Sequence, residues 1–550
     1  MIEDGKSSKS NQDRVFDLLE APSTHSGAKV RRIDTHAASV FLAGDTAYKV
    51  KRNVRFPFLD YSSLAKRKTA CQSEIDVNKL SAPDLYRRVI PITQEPDGSL
   101  KLDGHGQPVE WVVEMARFDE DQTLDRLADK GSLDTTLCLK LAQNLGKMHE
   151  RATTADGRVW LNALGRFIDQ NTQALIEQSN LFDEGSVRQL DERCRSALAH
   201  LKPILEQRVE MSLVRRGHGD LHLGNIALVD GDPIAFDAIE FDPIVASGDV
   251  LYDLAFLLMD LIERGYVELS NVVMNEYFRA VRRDADLDGI AALPFFMSVR
   301  AAIRAKVTAA RLEEAEHADQ PVIKTAALRY FRLACELMQP AQAAVICTAG
   351  LSGTGKSVLA RSLAPAVLPL PGALILRSDV ERKAMFNVPE TQNLPSEAYG
   401  GDTSTRLYEV LCEKAGRIAR SGHSVIVDAV FAKPAERAAI ESAARAAGAN
   451  FFGLFLTAPL DVRLKRIRGR SGDVSDADAA VARQQDSYEL GKMNWALLDA
   501  SGSPAGTLAK ARELIPDGIK APEPPLPSTR HSEDPPAPDL QPPVDTQSLR

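Results

Sequence analysis

Paired cysteines, long apolar runs, aromatic side chains and net positive charge are all scarce in this 550-residue chain, and each scarcity excludes something. The six cysteines (Cys71, Cys138, Cys194, Cys335, Cys347 and Cys412) form no CxxC pair and show no metal-ligand spacing, so they read as reduced thiols of a cytosolic protein. The longest apolar runs, such as VLYDLAFLLMDLI, carry aspartates and fall short of a bilayer span, so no membrane partner is expected. The start, MIEDGKSSKSNQDR, is polar and has no apolar h-region, so no signal peptide is expected and the expected location is cytoplasmic. A net charge of -9 argues against gripping nucleic-acid backbones by bulk electrostatics. With 44% hydrophobic and 26% charged residues the composition is that of a globular protein, too long for one core.

Two different rhythms run along the chain. Residues 37 to 51 read as a hairpin around Gly44-Asp45, a charged helix follows near 62 to 80, and strand-like pieces appear at RRVIPI and EWVVEMARF. From 133 the pattern is mostly helical, with Leu137, Leu141, Leu145 and Met148 on one face, and it ends at Pro340. From AAVICTAGLSGTGKS onward strands alternate with helices, which implies a parallel sheet. The expected divisions are a flexible N-terminus (1–29) and a first domain (30–340) with a small lobe to about 118. A second domain (341–515) and a proline-rich disordered tail (516–550) complete the chain.

GLSGTGKS, Gly350 to Ser357, fits GxxxxGK[ST] at every fixed position, with an apolar strand before it and a helical pattern after it. Glycines there let the backbone curl so that amides point at phosphate oxygens. The expected nucleotide contacts are Gly350, Ser352, Gly353, Thr354, Gly355, Lys356 and Ser357, with the Ser357 hydroxyl also on magnesium. Asp428 closes SVIVD, where a carboxylate supporting that metal would sit. Asp379 and Arg382 follow another strand, ALILRS; Asp379 could accept a hydroxyl proton, or be a helix cap. In RLKRIRGRSGD, Arg466 and Arg470 are candidate lid arginines, against the alternative of a solvated face. This region, roughly 343 to 500, resembles the small P-loop kinases of the polynucleotide kinase, zeta toxin and chloramphenicol phosphotransferase group. The resemblance implies that Asp379 is a general base and that Arg382 grips the acceptor.

HGDLHLGN and FDAIEFD put Asp220, Asn225 and Asp237 at the ends of apolar runs joined by a turn at Asp230-Gly231. A strand–turn–strand hairpin would bring Asn225 and Asp237 together as oxygen ligands for magnesium, leaving Asp220 to accept a proton. Residues 30 to 335 resemble the aminoglycoside phosphotransferase and choline kinase superfamily: HGDLHLGN is similar to its HxDxxxxN loop and GDVLYDLAFL to its downstream element. That resemblance implies that Lys49 of AYK holds phosphates and pairs with Glu74, with Lys51 a rival. It also implies structural Asp249 and Asp253 and an adenine-facing hinge at Glu114 to Ala116, while His218 itself reads as a structural histidine orienting a backbone carbonyl rather than an acid or base. No GxGxxG covers the phosphates, and Ala238-Ile239 replace Phe-Gly after Asp237.

The expected fold class is therefore α/β and α+β multidomain: an N-terminal bilobal protein-kinase-like fold and a C-terminal P-loop three-layer α/β domain with a parallel sheet. The expected function is a bifunctional ATP-dependent phosphotransferase, using ATP and Mg2+ in both domains on hydroxyl groups of small molecules. The alternative is a catalytically weak, ligand-sensing first domain regulating the second. A polynucleotide end kinase needs a basic, aromatic-lined channel, which 6% aromatic content does little to supply.

Overall fold

The computed structural model describes residues 10–56, 59–313, 315–469 and 474–521. Its small lobe is one six-stranded antiparallel sheet, in the order Val30–Asp34, Ala38–Ala43, Thr46–Lys51, Gln107–Ala116, Tyr86–Gln94, Leu100–Leu102. Gly44 turns the expected hairpin with φ +57, a conformation that favours glycine. The helix Leu64–Asn78 lies on this sheet through Arg67, Ala70, Cys71, Glu74, Ile75 and Asn78, a three-to-four-residue stripe. That spacing carries the carboxylate of Glu74 inward with the apolar side chains.

Residues 10–29 correct the expectation of a flexible N-terminus. Ser10 and Asp13 form a capping box, and the helix Asn11–Glu20 buries Val15, Phe16 and Leu19 in a cluster with Phe41, Val50, Ile92 and Val112.

The large lobe is helical around one apolar helix, Val250–Glu263, in which every residue but Glu263 is buried. Among the described residues no helix is long and apolar enough to cross a membrane. The short hairpin Ile226–Val229 with Asp232–Ala235 rides on this lobe.

The C-terminal part is a five-stranded parallel sheet in the order Leu374–Arg377, Val425–Asp428, Ala344–Gly350, Asn450–Thr457, Ala496–Asp499. Its central strand alternates between two cores. Ala344 and Ile346 pack with Leu359, Leu363 and Ala511, whereas Val345, Cys347 and Ala349 face the core that holds Leu407, Leu411 and Ile440. Helices on both faces make three layers, as expected. Residues 516–521, expected to begin the tail, belong to this fold: Ile519 is buried and Lys520 bridges to Val367. Residues 522–550 lie outside the described residues.

The edge strand Leu374–Arg377 is covered by the large lobe. Asn275 Oδ1 accepts from Ile375 N (2.7 Å), and Asn271 and Asn275 both donate to the Ala373 carbonyl (3.2 Å each). Amide side chains thus satisfy an edge that would otherwise be open to pairing.

Candidate active sites

The first site is assembled by two carboxylates of the buried helix. Asp253 accepts from the amides of His218 (2.8 Å) and Gly219 (3.0 Å), and Asp260, two turns on, accepts from Leu223 N (2.9 Å). Burial opposes the charge on Asp253, but a hydrogen bond from His149 holds its carboxyl well below the usual range. Asp249 makes two bonds to Arg208, at 2.6 and 2.7 Å, and caps the same helix. The loop 218–225 is therefore tied at both ends. His218 Nε2 stands 2.8 Å from the Phe236 carbonyl, and burial lowers its pKa, so it orients backbone as a neutral ring.

The hairpin sets Asn225 opposite Phe236, the neighbour of Asp237: Ile226 pairs with Ala235, and Phe236 N donates to Asn225 O at 2.9 Å. Asp237 has φ +60, rare for a residue with a side chain. Its amide donates to Tyr86 Oη (3.1 Å) and that of Ala238 to Asn78 Oδ1 (2.8 Å), which fixes the strained turn. Lys49 Nζ reaches Asp237 (2.5 Å) and Glu74 (2.8 Å). Asp220 is buried; one oxygen accepts from Asn225 Nδ2 (3.1 Å) and the other has no hydrogen-bond partner among the described residues. Burial works to raise its pKa, but His222, 3.5 Å away, together with Arg304 and His218, keeps the carboxyl below its ordinary value. An ionised, half-satisfied carboxylate is suited to receive a proton. The oxygen donors of Asn225 and Asp237 suit a hard cation.

One feature departs from the expected arrangement. Lys51 is an equal partner of Glu74 at 2.6 Å and also pairs with Glu240, which the sequence reading missed. At the expected hinge, Glu114 pairs with Tyr48 and Arg88 on opposite sides, and Ala116, the last residue of its strand, donates its amide to Leu85 O (2.8 Å). The Glu114 side chain goes to Arg88 (2.7 Å).

The second site gathers at the carboxyl ends of the parallel strands. Gly350, Gly353 and Gly355 have φ of +135, +86 and +99. A Cβ at Gly350 would stand 2.4 Å from Leu456 O, and one at Gly353 2.7 Å from Arg463 O. The helix Lys356–Leu363 starts inside this loop, so its first amides have no intrahelical acceptor. Ser352, Gly355, Lys356, Ser357, Asp379, Arg382 and Asp428 line one cleft of about 1030 Å³. Ser357 hydrogen-bonds Asp428, whose pKa is raised by burial against the pull of Lys356 and Arg377. A hydroxyl and a carboxylate held together fit a magnesium ion. Asp379 has no hydrogen-bond or ion-pair partner among the described residues, while Arg382 donates to Ala398 O (2.6 Å) and lies over Tyr399.

Residues 91–293 match the family model described as "Phosphotransferase enzyme family", and residues 345–490 match one described as "AAA domain". The chain thus carries one segment similar to phosphotransferases and a second similar to AAA domains. An uncharacterized protein of Mycobacterium tuberculosis is 29% identical over 457 residues, 82% of this chain and 88% of its own length. One of Mycobacterium bovis gives the same figures. Among solved structures, choline kinase from Cryptosporidium parvum covers 59% of this chain and 95% of its own, at 13% identity and TM-score 0.36. A sugar kinase from Janibacter covers 33% and 99%, at 19% identity and TM-score 0.26.

Lys49 and Glu74 precede the span matched by the phosphotransferase model, so their place in the first site rests on geometry. In the second, three expectations shift. Thr354 turns away from the cleft, with its hydroxyl and amide both on Leu351 O, and the Ser352 amide is taken by Gln485 Oε1 (2.7 Å). Arg466 is not a lid. It donates to the carbonyls of Thr354, Ser501 and Gly502 and braces the loop from outside the cleft, while Arg470 lies outside the described residues. Arg377, unmarked by the sequence reading, lies in register with Asp428 and 3.5 Å from its carboxylate, because it closes the neighbouring apolar strand.

Beneath this sheet His423 is buried, with Nε2 3.0 Å from Gly372 O; burial lowers its pKa to about 4. The unfolded ring takes a proton near pH 6.5 and the folded ring resists it, so stability is full above about 6.5 and falls toward pH 4. The loss should approach about 3 kcal/mol. Denaturant melts at neutral and mildly acidic pH should show the loss in wild type and a smaller one in His423→Gln. Equal losses would remove His423 from this account.

Proposed function

We propose that both segments are kinase-type domains, each transferring the terminal phosphoryl group of ATP to a hydroxyl of a small molecule. The first domain takes in about residues 30–340 and the second 341–515, extended by the contacts at 11–20 and 516–521. The observation that supports this best is that Lys49, Glu74, Asp220, Asn225 and Asp237, spread over nearly 190 residues of sequence, converge on one point. Chance assembly of an ammonium, its carboxylate partner, two oxygen donors and a half-satisfied carboxylate has no structural purpose of its own.

Magnesium, when bound with ATP, neutralises phosphate charge and aligns it for in-line transfer. In the first domain Lys49 would exchange Asp237 for phosphate oxygens while Glu74 keeps it aimed, Asn225 and Asp237 would hold the metal, and Asp220 would take the hydroxyl proton. In the second, Lys356 and the amides of the loop would bind phosphates, Ser357 and Asp428 would hold the metal, and Arg377 adds positive charge. Asp379 would take the proton and Arg382 position the acceptor.

A regulatory reading of the first domain has one observation in its favour: the cavity lined by Lys49, Lys51, Asp220 and Asp237 measures about 50 Å³. Ligand clefts hold roughly 300 Å³ or more, so nucleotide entry there requires the lobes to part. Incubating the intact protein with ATP, magnesium and fractionated cell metabolites tests both readings. Acceptors gaining one phosphate, and losing that gain separately in Asp220→Asn and Lys356→Ala chains, are expected. Gain lost only with Lys356→Ala would leave the first domain as a sensor.

A further inference from the structure

Behind Asp220 lies a second cavity, of about 30 Å³, lined by Gln170, Gly219, Asp220, Tyr252, Arg300 and Lys306 among others. Its chemistry is unlike that of a site for a cation. Arg300 and Lys306 come from the helix Leu293–Ala310, and each is only 4% exposed. Among the described residues neither has a hydrogen bond or an ion pair; Arg300 rests on the rings of Tyr252 and Phe256. Among the described residues the Tyr252 hydroxyl and one Asp220 oxygen are also buried without hydrogen-bond partners. Burial alone pushes the Lys306 ammonium down to about 8, with no carboxylate to oppose it.

An unpaired buried charge costs several kcal/mol, and a folded protein rarely carries two beside one cavity without use for them. Lys306 offers a point charge, and the planar Arg300 fork fits a carboxylate or phosphate. Arg300 already feels the field of Asp253, whereas no carboxylate acts on Lys306, so an anion bound between the two would bring the negative charge this cavity lacks.

We propose that the acceptor of the first domain is a small anionic alcohol, its carboxylate or phosphate held by Arg300 and Lys306 and its hydroxyl at Asp220. The inference rests on the phosphotransferase reading of that domain. In the step, the acceptor oxygen bonds to the terminal phosphorus of ATP as the bond from that phosphorus to the bridging oxygen breaks. The hydroxyl proton passes to Asp220, and ADP leaves. At about 30 Å³ the cavity has room for little more than water, so the acceptor enters by displacing Ile239 and Val245 of the irregular segment between Ala235 and Ser247.

The test uses the full chain carrying Lys356→Ala, so that transfer comes from the first domain. Glycerate, gluconate and glycerol phosphate are the anionic probes; glycerol and choline are the uncharged and cationic controls. Calorimetric titration without nucleotide reads binding, and phosphate incorporation with ATP and magnesium reads transfer. At least one anionic probe should bind, and Lys306→Met should weaken it by roughly tenfold or more. That variant removes an unpaired charge at nearly constant volume, so it should melt no lower than its parent. Whether the hydroxy acids or the phosphate ester binds identifies the anion. Choline or glycerol binding better than every anion, or Lys306→Met binding the anion undiminished, overturns the proposal while leaving the kinase reading intact. Anion binding that depends on Lys306 without any transfer upholds the pocket and sinks the kinase reading.

Discussion

ATP turnover by the second domain should fall roughly 100- to 1,000-fold when Lys356 is replaced by alanine, measured in a chain whose first site is silenced by Asp220→Asn. The size follows from position. Lys356 is the first residue of the helix that starts in the loop and it lines the cleft, and its charge is the strongest pull against the raised pKa of Asp428. No other lysine lies in the loop itself. Removing it takes away the charge that meets the transferring phosphoryl group and leaves Asp428 easier to protonate, so both phosphate grip and metal support weaken. The loop should keep its fold, because its turns are set by Gly350, Gly353 and Gly355 and by braces from Arg463 and Arg466. An unchanged melting curve with lost turnover is the expected pair of results. Turnover at the parent rate would mean the loop does not serve phosphoryl transfer.

Asp220→Asn should lower transfer by the first domain roughly 100- to 10,000-fold, the span of general-base catalysis, with nucleotide affinity little changed. Asparagine preserves the shape and can still meet Asn225, but cannot take up a proton. The loop around it is held by Asp253 and Asp260, neither of which the substitution touches. A loss confined to kcat supports proton acceptance. A loss confined to nucleotide binding would place Asp220 among the metal ligands instead, and no loss would remove it from the chemistry.

The parts of this molecule readable from sequence were those whose spacing is fixed by backbone geometry. The phosphate loop announces itself because only glycine tolerates the angles at 350, 353 and 355, and the hairpin that sets Asn225 beside Phe236 follows from a two-residue turn between short strands. The buried stripe of Leu64–Asn78 likewise put Glu74 where Lys49 could reach it. What was misread depended on tertiary partners. That the strand carrying Glu114 and Ala116 is flanked on both sides is set by the sheet order and cannot be read from the sequence. Arg466 resembled a surface charge or a lid, and only the fold shows its three carbonyl partners. Arg300 and Lys306 sit in a helix whose sequence, VRAAIRAKVTAAR, reads as an ordinary charged face, though both are buried. The helix Asn11–Glu20 had a usable signal in Ser10 and Asp13, three apart before Val15 and Phe16.

Counting bound nucleotide decides the matter most directly. Equilibrium dialysis of the intact chain with a non-hydrolysable ATP analogue should give two molecules per chain with magnesium present, and one after Lys356→Ala. A single molecule bound by the unaltered chain at saturation, or a count indifferent to magnesium, would contradict a protein built around two phosphate-gripping, cation-dependent pockets.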